Sequence, residues 1–246
     1  MSKHTVYYNL RDALIQSTTS AAPTCPVCIL AAKSVAGFLD SLLYELVNDS
    51  GMRQEIREAR GFCNEHAWQL RTIGGGALGV AIIYRDVLEM TLKLIRRGRF
   101  RRPQPLSLQR LQGALSGDQA GAGTVDLVAA LEPEAECPAC RHRRTAEDIY
   151  LSTLLEHLDD EDVGSAFRTS AGLCLPHFRQ ALQLVEGEAV FARLVEIEAA
   201  CLERLGSELS EFIRKHDYRF THEGFGAEGN SWIRAIGQMS AQKGIR

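Results

Sequence analysis

Two apolar stripes recur along this chain, each at nearly the same interval. Phe38, Leu39, Leu42, Leu43 and Leu46 fall at i, i+1, i+4, i+5 and i+8, which is one face of an α-helix, with Asp40 and Glu45 among the polar positions around it. Tyr150, Leu151, Leu154, Leu155 and Leu158 repeat that spacing 112 positions later, with Glu156 between them. A second stripe, Val80, Ile83 and Tyr84, is matched by Phe191, Leu194 and Val195 after 111 positions. No segment shows a convincing strand-like alternation. The pattern predicts an all-α fold of two tandem helical repeats related by a pseudo-twofold. Each copy should contain a helix (about 29–48 in the first), a short helix (about 52–59) and further helices running to about 98; the second copy should run from 137 to about 215.

The intervening segments read differently. Residues 1–24 form a lead-in, with a helix over 5–16 whose apolar side is Leu10, Leu14 and Ile15. The first repeat spans 25–98. Residues 99–136 hold three prolines and four glycines and read as a basic connector with one short helix around 106–115. The second repeat spans 137–216. Residues 217–246 carry Tyr218, Phe220, Phe225 and Trp232, more aromatics than a free tail bears, so an ordered C-terminal arm packed on the body is expected.

Composition narrows the class. The 246 residues are 45% hydrophobic and 24% charged, which is ordinary for a globular protein large enough to bury a core. A net charge of −3 confines any anion-binding role to a local patch. The apolar run Ile73–Ile83 is too short to cross a bilayer, and the first ten residues have no signal-peptide core, so no membrane association and a cytoplasmic location are expected.

The chemistry lies in the cysteines. Of seven, six fall into two matched sets with a histidine each: Cys25, Cys28, Cys63 and His66, then Cys137, Cys140, Cys174 and His177. The odd count and the paired histidines favour metal over a disulfide framework. Three thiolates and one imidazole suit tetrahedral zinc, and four protein donors leave no open position for catalysis. Two Zn2+ per chain are expected, each a closed structural site that adds about 10–16 kcal/mol of apparent linked folding energy to a small core. An iron–sulfur cluster with one histidine is the alternative cofactor. The proline after the first cysteine should stiffen a tight Cys-x-x-Cys turn, and Gly61 and Gly172 should admit the turn into each Cys-x-x-His. The simplest arrangement closes each site within its own copy. The spacing alone does not exclude that Cys25 and Cys28 pair instead with Cys174 and His177.

Other candidates have plainer readings. Cys201 aligns with Met90 and reads as core; His157 aligns with Glu45 and reads as a solvated side chain. His142 lies close enough to Cys140 to hydrogen-bond a sulfur. Arg96, Arg97, Arg99, Arg101 and Arg102 form a basic run with no acid between Glu89 and Asp118, as a nucleic-acid surface or a solvated helix end would. Gly74-Gly75-Gly76 lacks the strand and the Gly-Lys-Ser/Thr of a phosphate loop and reads as a helix break. No nucleophile–base or paired-carboxylate pattern stands in a supporting context.

The segment Tyr7–Leu14 before Cys25-Pro26-Val27-Cys28, the Gly61–His66 block, their second copies, and the tail Asp217–Phe220, Glu228–Asn230 and Trp232 together resemble the bacterial domain-of-unknown-function family 6062. The resemblance implies a helical, cysteine-rich bacterial protein and carries no assigned activity. The functional reading is therefore a non-enzymatic, zinc-stabilised helical scaffold that binds an unknown protein partner in the groove between repeats or on its tail. A nucleic-acid-binding protein using the Arg96–Arg102 patch and a thiol–zinc redox or metal-responsive switch are the alternatives.

Overall fold

The computed structural model describes residues 3–19, 24–98 and 125–245, and among them every regular element is helical. The helices are α1 (Lys3–Thr19), α2 (Pro26–Tyr44), α3 (Ser50–Glu58), α4 (Asn64–Leu70), α5 (Ala77–Arg97), α6 (Val125–Leu131), α7 (Pro138–Glu156), α8 (Glu161–Thr169), α9 (Leu175–Leu184), α10 (Glu188–Lys215) and α11 (Ser231–Ser240). Two short 3-10 turns, Thr221–Glu223 and Ala227–Asn230, join α10 to α11. The all-α expectation holds.

The copies agree element by element along the chain. Pro26 and Pro138 open 19-residue helices 112 positions apart. Ser50 and Glu161 open nine-residue helices 111 positions apart, and the starts of α4 and α9, and of α5 and α10, keep that interval. Local chemistry sets these starts. Pro26 and Pro138 occupy the first helical position, where the missing N–H costs nothing. Asp49 caps α3, its carboxylate accepting from Met52 N–H at 2.7 Å. Arg214 and Lys215 end α10, where cations suit the dipole. The connector helix expected around 106–115 lies outside the described residues, as do Arg99, Arg101 and Arg102; α6 was not anticipated.

The chain divides into two compact units that do not follow sequence order: residues 1–37 with 142–246, and residues 38–141. In the first, α1 packs on α8, and Leu10, Leu14, Val27, Leu30, Leu151, Leu154, Phe167, Leu173 and Leu194 form the core. In the second, Leu39, Leu42 and Leu43 from the end of α2 are buried, as are Ile56, Leu70, Ile83 and Val87; Asp86 on α5 is held by Arg53 and Arg57 of α3 at 3.0 and 2.8 Å. α2 is long and apolar enough to cross a bilayer by length and composition. Lys33 and Asp40 interrupt that run in sequence, which is why Ile73–Ile83 stands out there instead. In the fold its apolar side is buried in protein.

The C-terminal segment packs on the body, but its aromatics are not its buried residues. Glu228, Ser231, Gln238, Ala241 and Ile245 are its buried residues among those described, whereas Tyr218, Phe225 and Trp232 are exposed. Phe225 stacks on Phe212 and His216 of α10, and Arg214 lies over the Phe220 ring.

Candidate metal centres

All eight cysteine and histidine side chains singled out in the sequence gather into two groups of four, and each group takes one pair from each copy. Cys25, Cys28, Cys174 and His177 converge in the first unit; Cys63, His66, Cys137 and Cys140 converge in the second. Within each group the donor atoms all lie within 4.8 Å of one another. The pairing inside a copy is therefore not the one adopted, and the crossed pairing is. Chain geometry gives the reason. A helix of 19 residues advances roughly 28 Å, and the nine-residue helix that follows spans only roughly 13 Å, too short to bring the third cysteine back to the Cys-x-x-Cys pair that precedes it.

Each pair sits on the first turn of a helix, with a cysteine just before it and the second donor three residues on. Ile29 N–H bonds Cys25 carbonyl, Ala67 bonds Cys63, Arg141 bonds Cys137 and Phe178 bonds Cys174, at 2.8–3.3 Å. The expected separate Cys-x-x-Cys turn is thus the opening turn of α2 and of α7. The Cys63 and Cys174 side chains make no capping bond, their sulfurs turning to the site instead. Each site lies where two helix N-termini meet, and the positive ends of both dipoles favour thiolate there.

The spacings are those of a tetrahedral centre. For Zn–S near 2.3 Å and Zn–N near 2.0–2.1 Å, tetrahedral edges are about 3.8 Å (S···S) and about 3.6 Å (S···N). In the first site Cys28 Sγ lies 3.7 Å from Cys174 Sγ, and His177 Nδ1 lies 3.4, 3.5 and 3.1 Å from the sulfurs of Cys25, Cys28 and Cys174. In the second, Cys140 Sγ lies 3.6 Å from Cys63 Sγ, and His66 Nδ1 lies 3.2, 3.6 and 3.3 Å from Cys63, Cys137 and Cys140. The donor atoms suit a thiophilic divalent cation in both places.

The donors of each group share protons unevenly. Burial pushes the Cys25 thiol well above its ordinary range, helped by Cys174 and Cys28. Hydrogen bonds from Cys25 and Cys28 hold Cys174 well below it. Burial alone would lower His177, but Cys174, Cys28 and Glu147 outweigh it and carry the imidazole up to about 11. Burial, then Cys137 and Cys63, push Cys140 up to about 12. A thiophilic cation would replace these shared protons.

The surroundings differ between sites. In the first, all four side chains are buried. His177 Nε2 faces Glu147 Oε1 at 3.3 Å, and Arg143 Nε lies 3.4 Å from the same oxygen. The loop into Cys174 is held by Glu198, which accepts from Leu173 N–H at 2.9 Å, and by Gln238, which bonds Glu198 at 3.0 Å and the Leu173 carbonyl. Ser17 ties both approaches together, donating to Thr24 carbonyl (2.6 Å) and accepting from Ala171 N–H (3.1 Å). In the second site Cys63 and Cys140 are only partly buried. There α3 ends in a Schellman turn: Gly61 N–H bonds Ile56 carbonyl, and Arg60 N–H bonds Arg57 carbonyl with Arg60 itself at φ 56°. Arg60 occupies this left-handed position although glycine is its neighbour, and its guanidinium reaches Ala130 carbonyl and Glu134. Glu134 and Ala135 N–H groups both bond Glu58 carbonyl, so the approach to Cys137 is pinned to the turn before Cys63.

Glu147, Glu198, Gln238 and Ser17 were not legible as site residues. Two left a trace: Glu147 interrupts the Tyr150, Leu151 and Leu154 face of α7, and Glu198 interrupts the Leu194, Ile197 and Cys201 face of α10. An acid on a buried stripe implies a buried partner. Cys201 is core as expected, on the wall of a cavity of about 160 Å³ with Ser17, Ser170, Arg204 and Gln238. His142 Nε2 lies 3.0 Å from Ser34 Oγ. His157 is less solvated than expected: it bonds Asp160 at 2.7 Å and meets the Tyr7 ring edge. Arg96 and Arg97 are exposed in the last turn of α5.

Comparison with known proteins supplies no activity. An uncharacterised 23.9 kDa protein from the xynA 3′ region of Caldicellulosiruptor sp. (strain Rt8B.4) is 25% identical over 214 residues, covering 86% of this chain and 92% of that protein. No solved structure matches the chain. The model of a family of unknown function (DUF6062) matches residues 1–244, essentially the whole length, and the chain belongs to that family.

Proposed function

We propose that this protein is a non-enzymatic helical scaffold in which two structural zinc ions, one per compact unit, hold together segments far apart in sequence, leaving its exposed apolar surfaces to bind a protein partner. The observation that carries the reading is the convergence of three sulfurs and one imidazole nitrogen, at tetrahedral spacing, in both groups. Four protein donors complete the coordination of zinc, so such a centre supplies folding energy rather than a reactive position. The exposed Tyr218, Phe225, Trp232 and Ile233, gathered in one short stretch of chain, support a binding role, since large exposed apolar patches mark interaction surfaces. Protein purified without added metal should contain about two zinc ions per chain and lose helicity when they are chelated. Less than about one zinc, or iron–sulfur absorbance, would overturn the reading.

A second reading has its own support. Cys63 and Cys140 are partly buried, with sulfurs 3.6 Å apart, whereas all donors of the other site are buried. Peroxide could oxidise this pair to a disulfide, two thiols giving up two electrons and the peroxide leaving as water, with release of one zinc. Mild peroxide should then release zinc from the Cys63 site first. Retention of both ions and of helicity would end that reading.

A further inference from the structure

The exposed face of α5 carries a heptad seam that the unit's core, among the described residues, does not use. Leu78, Arg85 and Leu92 lie seven residues apart, and Ala81, Leu88 and Ile95 follow each of them by three. This alternation of three and four is the spacing of a two-helix seam. Leu78, Leu88, Leu92 and Ile95 are 73, 65, 44 and 50% exposed. The helix packs inward through a different face, that of Gly79, Ile83 and Val87, and Leu127 of α6 meets it at its end beside Gly98. The second copy supplies an internal control. At the equivalent positions α10 has Ala189, Ala192, Glu196, Ala199, Glu203 and Gly206, an ordinary solvent face, so the repeated unit does not need large apolar groups there.

We infer that α5 is a self-association helix, two copies of this chain pairing antiparallel along this seam. Antiparallel packing sets each first seam position against the partner's fourth, and one register overlays all six layers: Leu78 on the partner's Ile95, Ala81 on the partner's Leu92, and Arg85 beside the partner's Leu88. Charge selects the same register. Arg85 and Glu89, both exposed and only 3.7 Å apart within the helix, are brought in this register against the partner's Glu89 and the partner's Arg85, giving two symmetric ion pairs at the centre. A single arginine in an apolar seam would otherwise weaken it; here it fixes direction and register.

The test is sedimentation of the full-length, zinc-loaded protein over about 1–100 μM at low salt. The wild type should form a dimer, and Leu88→Lys should raise the dissociation constant at least about tenfold while zinc content and helicity stay unchanged, because Leu88 lies outside the core. Arg85→Glu and Glu89→Arg should each weaken the dimer alone. Mixed in equal amounts they should restore it as a heterodimer, since the mixture re-pairs both charges only between chains. A wild-type monomer at the highest concentration, a dimer indifferent to Leu88→Lys, or a mixture no tighter than its components would overturn the proposal.

Discussion

His177 presents Nδ1 to the three sulfurs of the first site and Nε2 to Glu147 Oε1 at 3.3 Å. The carboxylate faces the ring nitrogen turned away from the sulfurs, and partners in that position commonly set metal affinity by about 10–100-fold. Glu147→Gln should therefore weaken zinc binding at one site and leave the Cys63 site unchanged. Competition with a chromophoric chelator resolves the two ions; equal weakening at both, or at neither, would contradict this role.

Ser17 is buried and lies outside both donor motifs of its site, yet it joins the Thr24 carbonyl to the Ala171 N–H. Ser17→Ala leaves both without that partner, at a cost of about 1–3 kcal/mol. Urea unfolding of the zinc-loaded protein should show the loss, accompanied by faster zinc release from the first site. Unchanged stability would mean that the bridge is dispensable.

The two repeated glycines are not equivalent. Gly172 has φ 75°, and a Cβ there would meet Cys201 Cβ at 2.9 Å and a Glu198 oxygen at 3.0 Å. Gly61 has φ 101° but meets nothing closer than 3.9 Å. Gly172→Ala should cost more than about 2 kcal/mol, combining backbone strain and overpacking, and Gly61→Ala about 1 kcal/mol from strain alone. Denaturation midpoints of the two variants check the ordering, and a reversed order would refute it.

Burial pushes the Glu198 carboxyl up to about 7, although Leu173 N–H and Gln238 favour its anion. The folded protein thus holds this proton more tightly than the unfolded chain, whose carboxyl has the ordinary value of 4.5. The associated stability is fully present below about 4.5 and declines as pH rises to about 7, by on the order of 3 kcal/mol. Glu198→Gln should lack that decline. Protonation of the metal donors is common to both proteins, so their difference in unfolding free energy across this range isolates Glu198; a flat difference would contradict the assignment.

Helix order and the eight donors were legible because helical periodicity and Cys-x-x-Cys/His spacing are local, and the 112-position recurrence made them visible twice. The pairing of the donors was not. It depends on where a 19-residue helix and its nine-residue successor deliver Cys63 and Cys174, which is a matter of tertiary geometry rather than spacing. The supports of the first site escaped for a related reason: Ser17, Glu147, Glu198 and Gln238 come from four different helices and share no motif. Gly61 has the positive φ that a glycine permits, but Arg60 before it is left-handed too, which no spacing signals, and its side chain is anchored by Glu134 near the end of the connector.

Crossed pairing is tested most directly by counting zinc in two double variants. Cys28 and Cys174 belong to one group; Cys28 and Cys63 belong to different groups but to the same copy. Cys28→Ser with Cys174→Ser should leave about one zinc per chain, bound at the intact Cys63 site, whereas Cys28→Ser with Cys63→Ser should leave essentially none. The opposite result, zinc lost from the first variant and about one ion kept by the second, would place each site within a single copy and contradict the account.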